Sequence, residues 1–315
     1  GFYFILGGLS AWIMIPYSDS TGIIFPVFLF WLYVKLKETE SAKKKCVLLF
    51  LMFFLCYIGF EIKPMAAIVV IAIVAVEGIH FAGRLLKKQS VWKKSLLAYC
   101  LAAVLGLGAA AGGVSAVVGS MHFPVVTDTV LGWQHHMMLG LNKDTNGGYS
   151  QADFDYSTSF SSVEEQHAAE LKEIGKRLKD FGVGGYLQHF VKKSARNYFD
   201  GCFGWGGLGE TFYTEIFPER GTVLCSLIRS LYYDNTEDTL YRYPALFRQI
   251  LWYMVLVLVP FSVFTKRPLD KKRQVAVLSV LGLMLYLQIF EAHARYLYTF
   301  VPIFVFLATE GIDNL

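Results

Sequence analysis

Cysteine is scarce in this chain: five occur in 315 residues, and no two stand in a C-x-x-C pair. That is too few for a disulfide scaffold and the wrong spacing for a cysteine-type zinc site. No H-E-x-x-H segment occurs either, so no metal is expected, and no motif asks for a cofactor. Internal repeats, low-complexity tracts and a signal peptide are missing. The formal net charge is only +4, and nucleic acid is not expected as a partner. Cys46, Cys56 and Cys100 lie in or at apolar runs, where they count as small hydrophobes. Cys202 and Cys225 share one long polar segment and could pair, although free thiols are the commoner state of sparse cysteines.

What is abundant is apolar and aromatic. Hydrophobic residues make up 55% of the chain, aromatics 16%, and the mean hydropathy is +0.44, more than a soluble core requires. Residues 2–15 are apolar but short for a span of about 20 residues, and the chain opens Gly1-Phe2-Tyr3 without an initiator Met. A truncated first helix, in a fragment of a longer protein, is the expectation. Further apolar runs cover 21–34, 46–60, 65–82, 96–119, 246–264, 274–290 and 296–309. The run at 96–119 is rich in Ala and Gly, which lets membrane helices approach closely. The expected fold is therefore all-α and polytopic, with about eight transmembrane helices in two bundles, 1–119 and 246–315. Between them, residues 120–245 gain turn formers and charges, as a large, mainly helical extramembrane segment would. Within it, Val163, Ala168, Leu171, Ile174, Leu178 and Phe181 recur at helical spacing, and Gly182 to Gly185 should end that amphipathic helix.

Charge distribution orients the spans. The short loops 35–45, 84–94 and 265–273 hold about five basic residues each, which the positive-inside rule assigns to the cytoplasm. The turn at Tyr17 to Ser20, the break at Glu61 to Pro64, the segment 120–245 and the stretch Glu291-Ala-His293-Ala-Arg295 then share the extracytoplasmic face, with the C-terminus cytoplasmic. Asp19 is there either a helix cap or a carboxylate lining an outward cavity. Lys63 is a point charge for phosphate, a snorkelling side chain or a partner for Glu61. Glu291 and Arg295 are spaced to pair on a continuous helix, and the Arg295 fork could instead take two phosphate oxygens. The segment also holds His122 and His135-His136, read as structural, Asp153-Phe-Asp155, which has the spacing of a metal-nucleotide carboxylate pair but is common by chance and is not taken as catalytic, and the turn Tyr198 to Trp205, suited to a sugar or lipid site or to anchoring.

Several of these stretches together resemble a family. They are Tyr17-Ser-Asp19 with Phe25-Pro26, Lys63-Pro64, Trp133 with Leu139-Gly-Leu-Asn142 and Gly147-Gly-Tyr149, Asp200-Gly-x-Phe-x-Trp205, and Arg295-Tyr296 with Pro302. They look like bacterial polytopic glycosyltransferases of the GT-C membrane fold, related to protein O-mannosyltransferases and aminoarabinose lipid A transferases. The resemblance implies a multi-pass plasma-membrane enzyme of cell-envelope glycan assembly. It would move a sugar from a polyprenyl-phosphate carrier to a glycan, lipid or protein acceptor, with inversion at the anomeric carbon. Its catalytic base would lie in an external loop upstream of Gly1. Asp19, Lys63, Trp205, Glu291, His293 and Arg295 would bind substrate, Lys63 and Arg295 holding phosphate. A transporter or flippase of a lipid-linked or polar substrate is the competing expectation; such proteins favour inverted repeats and polar groups near the bilayer midplane.

Overall fold

The computed structural model describes residues 1–87, 94–121, 131–206, 222–233, 240–264 and 268–315. His122 and the basic residues Lys88, Lys93, Lys266 and Arg267 lie outside the described residues. Among those described there is no strand. The α-helices are α1 Ser18–Gly22, α2 Ile24–Glu38, α3 Ala42–Ile62, α4 Ile68–Leu86, α5 Lys94–Ser120 and α6 Trp133–Gly140. They continue as α7 Gln151–Thr158, α8 Val163–Tyr198, α9 Val223–Tyr232, α10 Arg242–Leu258, α11 Lys271–Ile289 and α12 Val301–Ile312.

Six stretches among the described residues are long and apolar enough to cross a membrane: Ser18–Glu38, Ala42–Ile62, Pro64–Leu86, Ser95–Ser120, Arg242–Ser262 and Lys271–Ile289. This is a polytopic membrane protein. The first and last apolar runs form shorter pieces instead. Residues 2–15 break into a π-helical turn, Phe4–Gly8, and a 3-10 turn, Ala11–Met14, on either side of Leu9 and Ser10. The last run is 3-10 over Ala294–Phe300 before α12 starts, with Pro302 in its first turn, where proline's missing N–H costs nothing.

Contacts sort the chain into two compact units. The first comprises Gly1–His122, Leu246–Leu283 and Tyr298–Leu315. Its interior is built on Trp12, Leu29, Tyr33, Val69, Trp252 and Phe304, all buried, with the Trp252 and Phe304 rings 5.3 Å apart, edge to face. Trp31, Val74, Leu101 and Val257 are exposed, as lipid-facing side chains are once each helix has satisfied its own backbone. α3 stops where it does because Pro64 disfavours helical geometry at Lys63, which is extended (φ −150°, ψ 101°), and the chain restarts through a 3-10 turn, Pro64–Ala67. α3 and α5 pack along one another through Gly106, where an added Cβ would lie 2.3 Å from the Phe50 carbonyl oxygen. The expected close approach of the Ala/Gly-rich helix is thus present at this glycine. Glu77 on α4 is laced by Lys37 (2.5 Å), by Lys271 (2.9 Å) and by the Tyr33 hydroxyl (2.7 Å), joining α2, α4 and α11.

The second unit comprises Phe123–Ala245 and Met284–Leu297. α8 runs past Gly182, which sits at φ +57°, so the helix kinks there and continues to Tyr198 rather than ending. Glycine tolerates that backbone, and the helix resumes because its second half has its own burial, through His189, Lys193 and Asn197. The face that α8 buries also differs from the apolar stripe. Gln166, Glu170, Ile174 and Phe181 are buried, whereas Leu171 and Leu178 are exposed. Polar partners on α6 and α7 decide this. Arg177 donates to both Asp153 oxygens (2.8 and 2.9 Å) and to the Met138 carbonyl (2.8 Å), closing α6, α7 and α8 together. Buried and doubly bonded to Arg177 and to Asn142, the Asp153 carboxyl stays below its ordinary range although burial opposes this. Cys202 and Cys225 are both free thiols.

Candidate functional site

Each unit carries its own cluster of the expected side chains. In the first, Asp19 is fully buried, and Lys63 places its ammonium 2.7 Å from Asp19 Oδ1 and 3.5 Å from the Ser18 hydroxyl. Two features far apart in the sequence therefore form one ion pair. Asp19 lies in the first turn of α1, whose N-cap residue Tyr17 makes no side-chain cap. Glu61 is exposed, and the carboxylate that Lys63 meets is that of α1. Gly22 packs beside Lys63 and Thr299, where an added Cβ would meet the Lys63 Cβ at 3.4 Å, an ordinary contact.

In the second unit, the helical pairing expected for Glu291 and Arg295 does not form, because the chain leaves α11 at Ile289 and is irregular through His293. Glu291 is buried and accepts from the Tyr296 hydroxyl at 2.7 Å, with His136 Nδ1 at 3.5 Å. Burial alone would raise its pKa. The hydrogen bonds from His136 and Tyr296, with the charges of His136 and Arg295, outweigh burial and hold the carboxyl down to about 2. The Arg295 guanidinium lies over the Tyr296 ring, 5.4 Å from its centre. His293 accepts from the Arg295 amide at 3.3 Å and packs on Gly204.

The turn beneath His293 is organised by Asp200, whose carboxylate accepts from the Cys202 and Gly204 amides while Phe203 and Gly204 take positive φ. Trp205, the aromatic expected to bind substrate, is buried, donates its indole N–H to the Tyr232 carbonyl and packs on the Tyr233 ring at 5.6 Å.

The loop after α6 clamps the Glu291 stretch. The Ala292 amide donates to the Gly147 carbonyl (2.7 Å), and Gly140 packs so close to the backbone at Ile289 and Phe290 that an added Cβ would be 2.7 Å from it. Gly140→Ala is accordingly expected to destabilise the protein by about 1–3 kcal/mol, the usual cost of forcing volume into a packed interior. Thermal unfolding in detergent would report it, and an unchanged midpoint would contradict the clamp.

Lys193 joins the same clamp. It is fully buried, and its Nζ donates to the Gly140 carbonyl (2.8 Å) and the Gln288 carbonyl (2.9 Å) at the ends of α6 and α11. Burial pushes its pKa down to about 7 against the opposing pull of Glu291. A neutral amine still has two N–H donors for the two carbonyls. Between about pH 7 and 10.5 the unfolded chain keeps a proton that the folded Lys193 has released, so stability contributed by this group rises with pH across that window. Lys193→Met is expected to flatten this rise in unfolding free energy between pH 7 and 9.5; an unaltered slope would refute it.

Lys193 carries no mark in the sequence that sets it apart as a site residue, and His136 and Tyr296 stand in noted motifs without being singled out as site residues. His135 and His136, read together as structural, separate in space. His135 is buried, 2.7 Å from the Ser157 hydroxyl and 3.9 Å from Glu170, and burial helped by the neighbouring His136 charge lowers its pKa. His136, with 44% of its side chain exposed, is the one that reaches Glu291. The doublet itself is a local signal, but the carboxylate that distinguishes its two members is remote in the chain. Among the described residues no group of His, Cys, Asp and Glu is arranged to hold a metal ion.

Chemically, the second cluster offers an imidazole backed by a buried carboxylate and a guanidinium capable of holding an anion. The first offers a buried, mutually neutralised pair. No curated protein and no solved structure matches the chain. One family model, described as conserved hypothetical integral membrane protein, matches residues 5–314. That match spans nearly the whole sequence and agrees with the apolar helices, and the chain belongs to this family of conserved integral membrane proteins.

Proposed function

We propose that the protein is a glycosyltransferase of GT-C type, moving a sugar from a polyprenyl-phosphate carrier to an acceptor at the extracytoplasmic membrane face in cell-envelope glycan assembly. The observation that carries this reading is the meeting of His136 with buried Glu291 beside Arg295, directly after the membrane helix α11. In the proposed step an acceptor hydroxyl attacks the anomeric carbon, its proton passes to His136, taken here as the base in place of one upstream of Gly1, and the bond from that carbon to the carrier phosphate breaks. Glu291 orients the imidazole and stabilises its charged form. Arg295 binds the departing phosphate, for which its planar fork is suited, and His293 positions the Arg295 backbone. Lys63 and Asp19 form an ion pair in the other unit.

The test is transfer of labelled sugar from polyprenyl-phosphate donors to envelope acceptors by the full protein in nanodiscs. Incorporation that depends on Arg295 supports the assignment. A complete lack of turnover across donors, with the protein folded, refutes it.

Transport or flipping of a lipid-linked substrate is the second reading, favoured by ionisable groups on the membrane helices: Asp19 with Lys63, and Glu77 with Lys37 and Lys271. Such groups within spans are costly and commonly mark a substrate path. Flux in proteoliposomes without chemical change to the substrate would select it.

A further inference from the structure

α9 has ten residues, none of them buried, in a segment of sequence VLCSLIRSLY. At about 100° per residue, Val223, Leu224, Leu227, Ile228 and Leu231 fall within one arc, and Ser226 and Arg229 lie outside it. Among the described residues nothing closes over the arc: Val223 is 87% exposed and Leu224 65%. At about 1.5 Å per residue the helix is about 15 Å long, half of a hydrocarbon layer of about 30 Å, so it cannot cross a membrane. Without a buried residue it is not a core helix either.

Two observations say what covers the arc. The Leu240 amide donates to the Ser230 carbonyl at 2.9 Å, and the candidate span opens just beyond, at Arg242. The C-terminal end of α9 is therefore tied to the point where the chain enters the membrane. At that same end stand Tyr232 and Tyr233, both partly exposed, and Tyr is one of the residues enriched at membrane boundaries.

We propose that α9 is an interfacial helix lying in the membrane plane, its Val223, Leu224, Leu227 and Ile228 face covered by lipid. Such helices sink about 5–10 Å into the boundary between headgroups and acyl chains. The placement of α9 does not depend on the glycosyltransferase reading.

Single spin labels decide it, placed by Leu224→Cys, Leu227→Cys, Ser226→Cys or Arg229→Cys in the full chain with the native thiols replaced, Cys225 included. The protein is held in nanodiscs of phosphatidylcholine and phosphatidylglycerol. Collisions with oxygen, which partitions into lipid, are expected to exceed those with a water-soluble nickel chelate at Leu224 and Leu227, and the order should reverse at Ser226 and Arg229. Nickel dominance at all four positions would overturn the proposal. So would protection of Leu224 and Leu227 from both reagents, the pattern of a face covered by a second copy or another protein. A monodisperse elution profile for each labelled variant separates these outcomes from misfolding.

Discussion

Lys63→Met is expected to destabilise the membrane-spanning unit by about 3–5 kcal/mol, the range for removing one partner of a buried ion pair. Asp19 is fully buried, and the ammonium at 2.7 Å is its opposite charge. Without it, an ionised carboxylate would have to stay desolvated or take up a proton, and both are costly. Exchanging both groups, Asp19→Asn with Lys63→Met, removes the charges together and should recover most of the loss. Glu61→Gln is the control. Glu61 is exposed, and its removal should stay within about 0.5 kcal/mol. Thermal unfolding in detergent micelles compares the four proteins. If Glu61→Gln costs as much as Lys63→Met, or if the double variant is no better than the single, the pairing is wrong.

His136→Ala is expected to lower sugar transfer by about 10²–10⁴-fold, the usual contribution of a positioned general base. Glu291→Gln should reduce kcat comparably while leaving the donor KM near its original value, because Glu291 acts through His136 and Tyr296 and touches no donor phosphate in the proposed step. The double variant should be little worse than either single one, since the two groups work as a unit. Arg295→Lys should mainly raise the donor KM, a point charge replacing a two-pronged anion ligand. Strictly additive losses, or a Glu291→Gln enzyme with normal kcat, would leave the dyad without support. If only stability changed, the cluster would be a structural clamp like that made by Lys193.

Parts of this site are legible in the order of the residues alone. The stretch Glu291 to Arg295 stands out because charged groups flanked by apolar runs are rare. Asp19 and Lys63 stand out for the same reason, at a turn and at a proline break. Their partners do not. Lys63 has a carboxylate two positions away in Glu61, yet it pairs with Asp19, because Pro64 turns the backbone and lets the side chain reach across to α1. Glu291 and Arg295 have helical spacing, but the helix stops at Ile289, and Tyr296 and His136 take the carboxylate instead. Lys193, in the run Val-Lys-Lys-Ser-Ala-Arg, has the local pattern of a solvated charge, and its burial depends on two helix ends brought to it by Gly140 and Gln288.

The membrane class, most of the spans, the absence of a disulfide scaffold and the two polar breaks follow from the sequence by itself. Hydropathy over about 20 residues is a local quantity, and a helix in hydrocarbon satisfies its own backbone whatever its neighbours are. Tertiary structure decides the rest: which apolar runs become full helices, which face of α8 is buried, and which histidine of the doublet meets Glu291. Those outcomes depend on pairwise Coulomb and hydrogen-bond energies that exist only at distances of a few ångströms. Residues remote in the chain reach such distances only once the helices have packed.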